Sequence, residues 1–235
     1  GRKGMLSPVG RRDVVRAGWM AAGWSVASLA AAVWALAWAL GLSLSETITP
    51  EVMGTYAWSV DSVRAFLLVA ILAAIIAVWC VFTATLTGAG VALVAALIGV
   101  ALPALTGHSS SLGSHGVAMT SDVVHALSVA VWVGGVVVLL FHGVRDDPGT
   151  VEAVPGFRAV ATWAVVFLGI SGLGAAFARL DSVSQLWTTS FGTLILLKVL
   201  LLTALLLIAR TLQTRVLGAD RGQRSTLVRF TGIEA

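Results

Sequence analysis

The chain has 235 residues, 58% of them hydrophobic and only 11% charged, with a formal net charge of +4. Ordinary soluble domains carry roughly 25% charged residues, so this composition calls for lipid as the main solvent and excludes a water-exposed globular domain. The basic excess is not a nucleic-acid footprint, because Lys and Arg fall between long apolar segments and form no groove-sized patch.

A bilayer core requires about 20 apolar residues per spanning helix. Six stretches of the sequence meet or approach that length, so the expected fold is an all-α polytopic transmembrane helical bundle of about six helices in a single domain. In chain order they run from Ala17 to Leu44, Val63 to Leu86, Gly88 to Thr106, Ser121 to His142, Arg158 to Ala178 and Ser190 to Leu212. Period-2 alternation is absent and the runs are too long for barrel strands, which leaves helices. Cys80 is the single cysteine, so neither a disulfide framework nor a thiolate zinc site can form within the chain. The first apolar stretch is longer than the core of a signal peptide and lacks a small-residue cleavage site. A start at Gly1-Arg2-Lys3 and an end at Ile233-Glu234-Ala235 read as a segment of a longer protein.

Lys and Arg placement orients the bundle. With the N-terminus inside, Arg2, Lys3, Arg11, Arg12, Arg16, Arg145, Arg158, Arg210, Arg215, Arg221, Arg224 and Arg229 fall on inner segments, and only Arg64 and Arg179 near the outside. Both ends are then cytoplasmic. The short inner link near Gly88 carries no charge of its own.

This frame puts His108, His115 and His125 at the outer face, within a stretch that also holds Met119 and Asp122. The segment Thr106 to Thr120 is rich in Gly and Ser and is expected to be a pliable loop that lets two imidazoles swing onto a common point. Met119, Asp122 and His125 are spaced three apart and share one face if helical. Imidazole with thioether and no thiolate suits copper, in either oxidation state, better than calcium or magnesium; zinc also accepts imidazole. Ordinary readings stand beside these: solvated loop histidines for His108 and His115, packing for Met119, and a helix N-terminal charge preference for Asp122. His125 is different, because an ionisable side chain within a lipid-embedded helix seeks a partner or a wet cavity. Lys198 lies about 12 Å into the last helix and raises the same question, with Asp122 as a candidate partner and a structural or gating role rather than ligation.

The segment His125-Ala126-Leu127-Ser128-Val129-Ala130-Val131-Trp132-Val133-Gly134-Gly135 resembles the His-x6-Trp-x-Gly-Gly signature of the copper-resistance protein D (CopD) family. Gly107-His108 through Ser114-His115 is similar to the Gly-His…Ser-His loop of members fused to a cytochrome c oxidase assembly (CtaG-like) domain. Phe157-Arg158 through Ser171-Gly172 and Phe191-Gly192 through Leu197-Lys198 resemble two further helices of the family, with Phe191 where Tyr is common. The resemblance spans Thr106 to the end. It implies a bacterial inner-membrane protein of copper handling and, in the fused subgroup, a link to supplying copper for oxidase assembly.

The expected function is therefore copper capture at the outer face by His108, His115 and His125, with Met119 as a weaker ligand. Copper would then be translocated or handed to a partner such as a periplasmic or extracellular carrier or an oxidase assembly factor. Asp122, Trp132 and Lys198 are supporting residues; Trp132, two turns inward of His125 on nearly the same face, could line an inward path. Two rival readings are a haem-binding electron-transfer protein, which needs two histidines at matching depth, and a non-catalytic assembly scaffold. Enzymatic turnover has no support: there is no phosphate-binding loop, no His-Glu-x-x-His and no activated nucleophile arrangement.

Overall fold

Ser7 and Pro8 are a helix start written into the sequence: a hydroxyl cap followed by a residue whose missing N–H costs nothing in the first turn. In the computed structural model, which describes residues 4–105, 115–143, 149–180, 182–204 and 207, α1 begins there and runs Pro8–Leu40, with the Ser7 hydroxyl accepting from Gly10 N at 3.1 Å. The helix thus starts well before the expected Ala17, because the charged turn Arg11-Arg12-Asp13-Arg16 is helical too, closed by an Arg16–Asp13 ion pair at 2.9 Å. Backbone hydrogen bonding, not apolarity, sets where a helix begins. At the other end Gly41 adopts φ 66°, and Leu42 N donates to Ala37 O at 3.0 Å. That left-handed closure favours glycine.

Two short helices follow, α2 (Leu44–Thr47) and α3 (Pro50–Tyr56). Neither was expected, although Ser43-x-x-Glu46 is a capping box in which the Glu46 carboxylate accepts from Ser43 N at 2.9 Å. Bonds from the Ser43 hydroxyl and backbone hold the Glu46 carboxyl below its ordinary value. The long helices α4 (Asp61–Phe82) and α5 (Leu86–Leu105) come next, then α6 (His115–Gly143) and α7 (Gly149–Arg179). Two of these start earlier than expected, α6 at His115 instead of Ser121 and α7 at Gly149 instead of Arg158. The helix α8 (Gln185–Thr188) and the apolar helix α9 (Ser190–Ala204) complete the described order.

Among the described residues all regular elements are helices apart from one isolated bridge. Five of them, α1 and α4 to α7, are long and apolar enough to cross a membrane; α9 is described as far as Ala204 and is shorter. Exposure fits that reading. Trp38 is 83% exposed, and Phe82 and Phe177 are each 80% exposed, positions at which rings of this size are at home in hydrocarbon. The chain is an all-α polytopic helical bundle.

The chain divides into two compact units, Gly1–Ala178 and Arg179–Ala235. In the first, α1 and α4 pack antiparallel through small residues. A Cβ on Gly18 would meet the Cys80 Cβ at 2.9 Å and the Ala77 carbonyl oxygen at 3.2 Å, and Ser25 Oγ donates to Ala70 O at 2.8 Å. Such contacts replace the hydrophobic effect, which gives no drive between helices in lipid. Gly99 of α5 receives the edge of Trp24 from α1, and Ala32, Leu36, Ala57 and Val63 fill the other end of the α1–α4 interface.

The uncharged link between α4 and α5 acquires its charge through space. The Arg11 guanidinium donates to the carbonyls of Cys80, at 3.2 Å, and Val81, which lie in the last turn of α4, where carbonyls lack intrahelical N–H donors. Leu6 N donates to Ala84 O at 3.0 Å and Leu86 N to Gly4 O at 2.9 Å. The start of α1 and the α4–α5 link are therefore at the same end of the unit. In the second unit, α8 and α9 meet at a tight elbow. A Cβ on Gly192 would fall 2.1 Å from the Gln185 carbonyl oxygen, and Gly192 N donates to Thr189 Oγ1 at 3.0 Å.

Gly18→Val is expected to lower stability by about 1–3 kcal/mol, as overpacking does. Gly23→Ala, at a site with nothing within 4 Å, is expected to be neutral or slightly stabilising. Unfolding titrations in mixed micelles check both; an unaffected Gly18→Val chain would contradict the α1–α4 contact.

Candidate functional site

Along α6, Ser121, His125, Ser128, Trp132 and Gly135 recur at alternating steps of four and three residues. This is the spacing that keeps one stripe of a helix against a neighbour. Ser121 and Ser128 are buried, and His125, Trp132 and Gly135 half-buried. On α7 the matching stripe contains Phe157, Ala164, Leu168, Ser171 and Gly174, of which Ala164, Leu168 and Ser171 are buried.

Three contacts fix these stripes in antiparallel order. A Cβ on Gly135 would lie 1.9 Å from Phe157 Cε2, so the Phe157 ring rests directly on the Gly135 backbone. Ser121 Oγ lies where a Cβ on Gly174 would approach to 2.4 Å. Between them, His125 Nδ1 and Ser171 Oγ are 3.3 Å apart, and Ser171 Oγ donates to Leu168 O at 3.0 Å. The seam is thus graded: aromatic on glycine at one end, and at the other hydroxyls and an imidazole placed where a glycine allows close approach. Ser171 is 3% exposed, so the His125 contact is made out of reach of lipid.

His125 is six residues inside the apolar window Met119–Leu139 of α6, about 9 Å along the axis. In that setting an imidazole costs free energy unless a polar partner meets it, and the Ser171 hydroxyl is one. Met119 and Asp122, both half-buried, occupy the preceding turns of the same helix. Position 115 is helical, ten residues or about 15 Å before His125, instead of lying in the expected loop. His108 lies outside the described residues, as does the His115 side chain. Among the described residues, no three His, Cys, Asp or Glu side chains come together as a metal cluster. Lys198 is exposed on α9 of the second unit.

Ser171, Ser121 and Ser128 are not among the candidate site residues that the sequence alone singles out, yet they line this seam. The signal was present: Ser121, His125 and Ser128 follow the four–three spacing as polar residues inside an apolar helix. Ser171-Gly172 enters the sequence analysis only as part of a family-like stretch, and nothing local pairs position 171 with 125.

These features define a multi-pass helical membrane protein with a polar seam inside its apolar span. Residues 151–235 match the family model for Copper resistance protein D. The match starts within α7 and includes Phe157, Ser171 and Lys198, while His125 lies before it. The chain is also similar to Copper transport protein CutJ of Bacillus subtilis (strain 168), with 31% identity over 100 residues, covering 40% of this chain and 18% of that protein. It therefore spans less than a fifth of the length of that curated relative. No solved structure matches it significantly.

Gly135→Ala is expected to destabilise the chain by about 1–3 kcal/mol through its collision with Phe157. Phe157→Ala in the same chain should recover part of that loss, with a coupling of at least about 0.5 kcal/mol. A double-mutant cycle measured by unfolding in micelles checks this, and additive losses would contradict the contact.

Proposed function

We propose that this chain is a copper-handling membrane domain that captures copper at the outer membrane face and either carries it inward or passes it to a partner. The observation that carries this reading is His125 paired with Ser171, an intramembrane imidazole fixed at a buried seam. The family match and the similarity to a Bacillus copper transport protein supply the metal. His108, His115 and His125 serve as copper ligands and Met119 as a softer auxiliary one, a donor set that suits copper over hard cations. With position 115 helical, the donors of α6 form a series along the helix, in the order His115, Met119 and His125. Asp122 lies one turn before His125 and Trp132 two turns after it, and Lys198 acts as a gating or structural cation.

Copper is cargo in this reading, and the role is transport or resistance rather than catalysis. The membrane is the bacterial cell membrane, with both ends of the segment cytoplasmic. The Arg distribution supports that orientation, as does the docking of the α1 start on the α4–α5 link, which puts two expected inner segments at one end. A periplasmic or extracellular carrier on the donor side, and an oxidase assembly factor on the acceptor side, are the partners that fit. The resemblance to CtaG-fused members points the same way.

Changing His108, His115 and His125 together to Ala is expected to reduce copper affinity of the purified protein by at least about tenfold, the lower bound for disturbing a metal site's ligands or their supports. His125→Ala alone should account for much of the loss. Competition titration with a copper chelator measures it, and unaltered affinity in the triple variant would remove the site assignment.

A further inference from the structure

Three serines on the α6–α7 seam are buried, Ser121 at 8% exposure, Ser128 at 7% and Ser171 at 3%. A serine inside an apolar helix can satisfy its hydroxyl on the carbonyl of its own preceding turn. Ser171 does so, with Oγ donating to Leu168 O at 3.0 Å. Ser121 and Ser128 do not: among the described residues neither hydroxyl has a hydrogen-bond partner. Ser128 is nine residues inside the apolar window Met119–Leu139, about 14 Å along the axis and close to the middle of the span. A hydroxyl left unsatisfied at that depth is costly. Buried polar groups of this kind point to an ordered water or an ion that meets them.

We propose that the seam holds a file of ordered water running from Ser121 to Ser128, which brings water and protons to the middle of the α6 span. The spacing suits water. Ser121, the His125–Ser171 pair and Ser128 succeed one another at steps of four and three residues, about 6 and 4.5 Å along the axis. One water making two hydrogen bonds of about 2.8 Å each bridges a gap of that size. The chemistry suits it as well. A hydroxyl both donates and accepts, and Ser171 keeps acceptor capacity after its bond to Leu168. Neutral hydroxyls offset no charge, which favours water over an ion. At the Ser121 end, Gly174 lets the two helices close on each other and so keeps lipid chains out. At the other end the Phe157 ring lies on the Gly135 backbone and ends the polar stripe. The water file requires no metal, so it stands or falls apart from the copper reading.

The test follows hydrogen exchange at thiols in the full chain, reconstituted in lipid nanodiscs with Cys80→Ala to remove the native cysteine. Ser121→Cys and Ser128→Cys put an S–H at the two unpartnered positions. Val69→Cys puts one inside α4 at a position only 2% exposed. On transfer to D2O the S–H stretching band, read by infrared, is expected to be lost quickly at positions 121 and 128 and to persist at position 69. A Ser128→Cys band as persistent as that of Val69→Cys, or one rate at all three positions, would overturn the inference. The unmodified chain gives a second reading that depends on no cysteine: magnetisation transfer from water protons to 13C-labelled serine side chains. Ser121 and Ser128 are assigned there by the loss of their signals in Ser121→Ala and Ser128→Ala. Transfer to both is expected, and a Ser128 that receives none would overturn the water file whatever the thiols show.

Discussion

Inside a bilayer a polar side chain has no water to turn to, and every hydrogen-bonding group carried into hydrocarbon must find its partner in the protein. His125 is where this constraint bears hardest on the chain. Its imidazole sits well inside the apolar window of α6 and is met across the helix seam by Ser171, a residue 46 positions away in sequence. For that meeting to occur, α6 and α7 must run antiparallel, approach closely and keep register over several turns. Gly135 beneath Phe157 and Gly174 beside Ser121 provide the close approach at either side of the polar pair. The motif residues that look unrelated in the sequence are the two edges of one interface.

The same logic governs the other half of the first unit. Helices there come together through glycine, alanine and serine, with Gly18 against Cys80 and Gly99 beneath Trp24, since in lipid close packing must supply what the hydrophobic effect supplies in water. The helix ends follow a related rule. The last carbonyls of α4 have no partners within their own helix, and Arg11 reaches them from the start of α1. Hydrogen bonds of this kind, made by a charged donor, are worth about 1.5–3 kcal/mol each, enough to hold the amino-terminal segment to that link.

How much of this could be read from the sequence varies with the physics involved. Spanning helices are legible because burial in lipid demands a long apolar run, and α4 and α5 begin within two residues of the expected Val63 and Gly88. Helix starts are less so, because hydrogen bonding continues through polar turns: Arg11 to Arg16 looked like a tail, and His115 to Thr120 like a loop. Capping signals at Ser7-Pro8 and Ser43-x-x-Glu46 mark such starts and deserve as much weight as hydropathy. Arg placement left the α4–α5 link without a charge, since a local count cannot see a guanidinium arriving from 70 residues away. Of the candidate site, His125 was legible from its chemistry in an apolar helix. Ser171 was not, because a partner across an antiparallel interface is specified by register, which emerges only once both helices are in place.

The central claim is that the α6–α7 seam presents His125 to copper. X-ray absorption at the copper edge of the copper-loaded full chain tests it most directly, because the outer-shell scattering of an imidazole ring is distinctive. The account predicts imidazole scattering in the wild-type chain that diminishes measurably in His125→Ala. A spectrum without imidazole, or one identical in the two proteins, would contradict it.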